Sequence, residues 1–285
     1  MKFINAITTI NKVFPNGVFN LEKWKEYIHF YLPDKSHLFL EDMQEVLSKG
    51  FSYDKDYLPL FQRVYEDSKT RLEIVKNFES ITTGLNEKIQ QTFKRSIEAT
   101  IMLYLGLGNG AGWALEIDDK AYVLLGIEKI MELNWGDKKT LTSLINHELG
   151  HLYQAQYGVL ARTFKKPSSH FLWQLFTEGV AMYFEQTLLN DYDYFHQDKD
   201  GWLSWCEQNQ KSIKEDFAKD LESMSFSNQR YFGDWVYYQG KSDVGYYLGA
   251  RFVQFICRKF LFADILRFSL KQVQKEFNCF IKADE

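Results

Sequence analysis

Cysteine is scarce. Cys206, Cys257 and Cys279 are the three in the chain, widely spaced and odd in number. They exclude a disulfide framework and a CxxC metal site and read as reduced thiols, so the cytoplasm is the expected compartment. A long hydrophobic run is also missing: the longest uncharged stretch, residues 99–115, is broken by glycines and an asparagine and makes a poor membrane span. The opening residues MKFINAITTINKVFPNGVF lack the continuous apolar core and small-residue cleavage pattern of a secretory signal. Basic charge is not in excess. With 34 Lys and Arg against 38 Asp and Glu, the net charge of −4 gives no electrostatic reason to expect nucleic acid or an anionic membrane as partner. Internal repeats and low-complexity segments are absent.

What the chain does have is apolar and aromatic material. At 285 residues, 45% hydrophobic and 17% aromatic, it can bury a substantial core and line a cleft with rings, which argues against disorder. Residues 19–97 carry a helical period. Leu21, Trp24, Ile28, Tyr31 and Leu32 form one stripe, and Leu85, Ile89, Phe93 and Ile97 another. Turn signals at Pro15-Asn16-Gly17, Pro33-Asp34 and Thr83-Gly84 separate the segments. The texture then changes. Residues 99–108, 112–118 and 120–127 are rich in large apolar residues with Gly and Asp-Asp breaks, and predict two or three strands of a small sheet. From Asp137 the helical period returns, with Asp137 or Thr140 as cap. A second helix is expected over 169–189, and a third from Asp243 with Phe252, Val253, Ile256 and Phe260 inward. The class is α+β, mostly helical, with a helical lobe over 1–97 and a core over 98–285 in one continuous structural unit.

Within the motif helix lies INHELGHLYQ, residues 145–154. Helical positions four apart differ by about 40° in azimuth and roughly 6 Å along the axis, so His147 and His151 project from one face and their rings can converge on one ion. Catalytic zinc takes three protein ligands and keeps one position for water, whose pKa it lowers. Glu148, rotated about 100° from His147, is placed to reach that water as general base without joining the coordination sphere. The third ligand is sought downstream in FTEGVAMYFE, where Glu178 interrupts an otherwise apolar helix face. An unpaired buried carboxylate is costly, so such a group wants a cation. Glu185, two turns on, is expected to face water or support a histidine. Nitrogen, nitrogen and oxygen donors at this spacing favour one Zn²⁺.

These residues resemble the gluzincin metallopeptidases, which pair HExxH with a glutamate ligand on a later helix, often in a Glu-Gly-x-Ala-like stretch; here that is Glu178-Gly179-Val180-Ala181. Within that clan the chain is similar to an uncharacterised family of predicted zinc-dependent proteases, whose later Gly-Tyr-x-x-Gly-like segment is matched by Gly245-Tyr246-Tyr247-Leu248-Gly249. The resemblance implies a zincin-like core and zinc held by His147, His151 and Glu178. Several features depart from the pattern. Met182 stands where thermolysin-like members carry a histidine-orienting acid, and the segment between His151 and Glu178 is longer than in familiar aminopeptidases. Gly110-Ala111-Gly112-Trp113-Ala114 lacks the Met-Glu-Asn of an amino-terminus grip, a role Glu116 could only approximate.

A peptide or protein substrate in this clan pairs with an edge strand beside the motif helix. Residues 112–118, GWALEID, are the candidate, with Gly108, Gly110 and Gly112 leaving room for a substrate backbone. A tetrahedral intermediate also needs an oxyanion donor. Tyr246 and Tyr247 are the candidates, His170 a weaker one, and Arg251 either grips a substrate carboxylate or forms an ion pair. The expected function is zinc-dependent peptide hydrolysis with Glu148 as base. The alternative is a zincin-fold binding or regulatory protein that holds metal with little or no turnover.

Overall fold

The computed structural model describes residues 1–283. Strand β1 (Lys2–Asn5) and a 3₁₀ segment (Ala6–Val13) precede helices α1 (Leu21–Tyr31), α2 (Ser36–Ser48), α3 (Leu58–Glu66), α4 (Ser68–Thr82) and α5 (Leu85–Phe93). Strands β2 (Thr100–Tyr104), β3 (Gly112–Ile117) and β4 (Lys120–Gly126) lead into α6 (Ile127–Leu133) and α7 (Lys138–Tyr157). The remainder is helical: α8 (Pro167–Leu189), α9 (Trp202–Gln208), α10 (Gln210–Asp220), α11 (Val244–Cys257), α12 (Phe262–Ile265) and α13 (Leu270–Lys282). The chain is therefore α+β and mostly helical, with one small sheet. Among the described residues, no helix is long and apolar enough to cross a membrane.

By compactness the chain divides into Met1–Glu148 and Leu149–Glu285, and the change of sequence texture near residue 97 falls inside the first unit. There the sheet order is β1-β2-β4-β3. β1, β2 and β4 run parallel, and β3 returns antiparallel along β4 to form an edge. The sheet thus has four strands rather than two or three. β1 escaped sequence reading because four residues, KFIN, are too short to show a period; its place comes from pairing with β2, sequence-distant by nearly a hundred residues. The central strands β2 and β4 have continuous apolar runs because both faces are covered. The helical stripes pack as expected, with Trp24, Ile28, Leu85 and Ile89 buried. Ile97 is buried too, but it lies beyond α5, which Lys94 ends in the left-handed region at φ 58°. Asp137, not Thr140, caps α7: its Oδ1 accepts from the backbone N–H groups of Lys139 at 3.0 Å and Thr140 at 3.1 Å.

In the second unit α8 is buried along nearly its whole length, and α11 and α13 pack against it. Small residues set how closely these helices approach. A Cβ on Gly179 would lie 2.2 Å from the Gly249 carbonyl oxygen, and one on Gly249 would lie 2.7 Å from that of Leu175. At Gly150 a Cβ would meet the Ala181 Cα at 2.8 Å, so α7 and α8 also cross with backbones in near contact. Any side chain at these glycines forces the helices apart, a form of overpacking that typically costs about 1–3 kcal/mol. Phe252, Val253 and Ile256 face inward on α11 as expected. Phe260 does not: it follows the helix's end at Cys257 and is 37% exposed.

Candidate metal centre

The helical period of residues 138–157 does what the spacing implies. His147 and His151 sit one turn apart in α7, His147 buried and His151 partly open. Glu178 arrives from α8 because the crossing at Gly150 and Ala181 brings the helices together one residue before His151 and one turn after Glu178. One nitrogen from each imidazole and one carboxylate oxygen of Glu178 all lie within 4.8 Å of one another. His151 Nε2 is 3.3 Å from Glu178 Oε2, with the two side chains 14% and 15% exposed.

These distances test whether the residues suit a zinc ion. Donors bound at about 2.0–2.1 Å in tetrahedral geometry stand about 3.3–3.4 Å apart, and the His151–Glu178 separation has that length. Two imidazole nitrogens and a carboxylate oxygen match in number and type the three protein donors that a catalytic zinc takes. The partial exposure of His151 and Glu178 leaves a path for an incoming group. The residues fit.

Glu148 is 8% exposed and lies against the first residue of the edge strand. A Cβ at Gly112 would meet Glu148 Oε1 at 2.5 Å and Cγ at 2.7 Å. The room at Gly112 is therefore filled by the protein's own carboxylate side chain, and that at Gly108 by the Tyr57 ring, 2.8 Å from a Cβ built there. This corrects the sequence expectation that both glycines leave space for a substrate backbone. β3 does lie at the sheet edge, and among the described strands it pairs only with β4.

The two tyrosines part company. Tyr247 is fully buried, ringed by Phe195, Trp202 and the Arg251 guanidinium, and its hydroxyl donates to Gln210 Oε1. Burial pushes this phenol up to about 12. Tyr246 is partly exposed. It lies three residues before Gly249, hence on the side of α11 that meets α8, whereas Tyr247 projects away from it. His170 meets Phe171 edge-on and Phe226 at a tilt, and burial lowers its pKa. Arg251 forms ion pairs with Asp193 at 2.8 Å and Glu207 at 3.3 Å, so of its two expected roles the structure displays the ion pair. Glu185 is completely buried and supports a histidine, His196, whose Nδ1 is 3.4 Å away. Met182 is buried among apolar neighbours on α8. Glu116 is exposed.

Sequence reading missed two residues around the loop that leads into β3. One is Gly112 as the seat of Glu148. The other is Glu128, a fully buried carboxylate whose signal was a lone acid inside the apolar run LLGIEKIM.

An HExxH helix with a distant glutamate at its histidine pair and a partly open approach defines a candidate metal centre. The chain belongs to the family described as "Putative zinc dependent peptidase (DUF5700)", whose model matches residues 16–282. No curated protein and no solved structure matches the chain.

Proposed function

We propose that the protein is a gluzincin-like zinc metallopeptidase with a zincin-like core. The observation that carries this reading is the convergence of His147, His151 and Glu178 within 4.8 Å, with Glu148 next to it on the same helix. His147 and His151 through ring nitrogens and Glu178 through a carboxylate oxygen would hold one Zn²⁺. When bound, the ion supplies Lewis acidity toward a water molecule and the scissile carbonyl. Glu148 takes the proton of the attacking water and returns it to the nitrogen of the leaving amine. An extended peptide adds to the free side of β3, where backbone N–H and C=O groups over 112–117 are available for pairing. Tyr246, three residues before Gly249 on α11, is the proposed donor to the developing oxyanion. Tyr247, with its hydroxyl engaged by Gln210, serves packing instead.

Metal removal tests the reading. Untagged protein is expected to carry one zinc per chain and to cleave a quenched-fluorescent mixture of random hexapeptides. Chelation abolishes cleavage, and Zn²⁺ restores it where Mg²⁺ does not. Zinc without any cleavage favours the binding or regulatory alternative, for which the apolar Met182 in place of a histidine-orienting acid is the supporting observation. Protein that neither carries nor takes up zinc sinks both.

Gly112→Ala addresses the seat of the base. The added methyl collides with the Glu148 carboxylate, and a displacement of about 1 Å near the chemistry costs on the order of 10²-fold. A fall in kcat of that size is expected, with zinc content by atomic absorption unchanged. Loss of zinc instead would show that the methyl disturbs the whole helix.

A further inference from the structure

We infer that Glu128 is a positioning residue for the substrate edge: its carboxylate clamps the backbone of the loop between β2 and β3 and so fixes where β3 begins against Glu148. This deepens the peptidase reading and rests on it for its functional meaning, although the clamp itself is independent of metal.

Glu128 stands in the first turn of α6, is 0% exposed, and uses both oxygens on the loop. Oε2 accepts from Gly106 N–H at 2.8 Å and Oε1 from Gly108 N–H at 3.0 Å. Glycines make the fit possible. A Cβ at Gly106 would lie 2.4 Å from Oε1, and one at Gly126 would lie 3.0 Å from Oε1 and 2.5 Å from the Gly110 carbonyl oxygen. Gly108 turns the chain at φ +75°, in the left-handed region. The N-terminal helices complete the grip. Trp24 Nε1 donates to the Leu105 carbonyl at 2.9 Å, the Tyr27 hydroxyl accepts from Leu105 N–H at 3.0 Å, and Asn109 Nδ2 donates to Asp42 Oδ2 at 2.7 Å. The loop therefore has little freedom, and it ends at Gly112, where Glu148 is seated.

An apolar side chain at 128 would serve packing alone, and at lower cost than a buried carboxylate. Two oxygens matched to two N–H donors are what a loop clamp needs. Burial pushes this carboxyl up to about 7, against the lowering effect of its backbone bonds. The groups facing it are Lys129 on its own helix, Tyr104 from β2 and Tyr27 from α1; Asp42 of α2 acts on Tyr104, and Tyr57 neighbours Lys129. Burial raises the phenols of Tyr27 and Tyr104 and keeps them protonated through the neutral range. Above about pH 7 the ionised carboxylate accepts both bonds. Protonation leaves one good acceptor, and Glu128→Gln does the same permanently while turning an amide N–H₂ toward a backbone donor.

The experiment compares wild type, E128Q and E128D from pH 6 to 8.5. Amide exchange is followed over residues 105–112 with the intrinsic pH dependence divided out, and kcat and KM are measured on the hexapeptide mixture. The Gly106 and Gly108 N–H groups lower this carboxyl's pKa against the effect of burial, so a loop released while Glu128 stays buried raises it; in wild type, loop protection is therefore expected to rise and KM to fall as pH passes upward through neutrality. E128Q lowers protection about 10–100-fold, the scale of one charge-assisted hydrogen bond. It also raises KM several-fold, nearly spares kcat, and removes both pH trends. E128D keeps a pH trend at reduced protection, which covers the case in which E128Q does not fold. Unchanged protection in E128Q, an unaltered pH trend in KM, or a loss confined to kcat overturns the proposal. If wild type cleaves no peptide, the peptidase reading has failed, and the exchange data alone then decide whether the clamp exists.

Discussion

Glu148→Gln lowers kcat/KM for peptide cleavage by about 10²–10⁴-fold, the range for loss of a general acid–base group, and leaves one zinc per chain. The substitution suits the question because the side chain is 8% exposed and packed on Gly112, so a near-isosteric amide keeps the contact and removes only the proton acceptor. The loss is expected on kcat, because in the proposed mechanism Glu148 acts on water rather than on the bound peptide. It is measured by single-turnover cleavage, with zinc quantified on the same sample. Equal cleavage by both proteins would remove Glu148 from the mechanism and leave the metal proposal standing. Unequal cleavage with unequal zinc would mean that the change had reached His147 next to it.

Glu178→Ala is expected to weaken zinc binding by well over the ~10–100-fold typical of losing an outer partner of a ligand, because it deletes a proposed donor itself. Stability provides a readout that needs no activity. A ligand at 100 times its Kd stabilises the native state by about 2.7 kcal/mol. At roughly 2–4 °C per kcal/mol for a chain near this size, the wild-type Tm rises by about 5–10 °C on saturation with zinc. In Glu178→Ala the rise disappears, whereas Glu178→Asp keeps part of it. The zinc-dependent rise is also expected to shrink as pH falls, since the two imidazoles must be neutral to bind. A full zinc-induced rise in Glu178→Ala would mean that the ion is held elsewhere.

The sequence made the candidate metal centre legible because its strongest element is local. His147, Glu148 and His151 lie within five positions of one helix, and the 3.6-residue period alone orders their faces. Glu178 was readable one step further, as an acid in an apolar helix followed by a small residue. The strands of residues 100–126 were visible as changes of texture with Asp-Asp and Gly breaks. Other features were hidden for a common reason: their partners are remote. β1 is defined only by pairing with β2. Gly112 reads as room for a substrate backbone until Glu148 is seen filling its missing side chain. Glu128 is only an acid inside LLGIEKIM until Gly106 and Gly108 are found on its two oxygens. Tyr246 and Tyr247 are adjacent letters of one motif, and only the packing of α11 on α8 separates their roles.

The residues by themselves determined the mostly helical α+β class, the helix that bears two histidines and a glutamate on adjoining faces, and the acid that follows on a later helix. Those are properties of short-range periodicity and side-chain chemistry. Only the tertiary structure decided that α7 and α8 cross at Gly150 and Ala181, which brings the Glu178 carboxylate to 3.3 Å from His151. The distance between side chains far apart in the chain is set by how closely backbones pack. That depends on which glycines face which neighbours, and no local pattern records it.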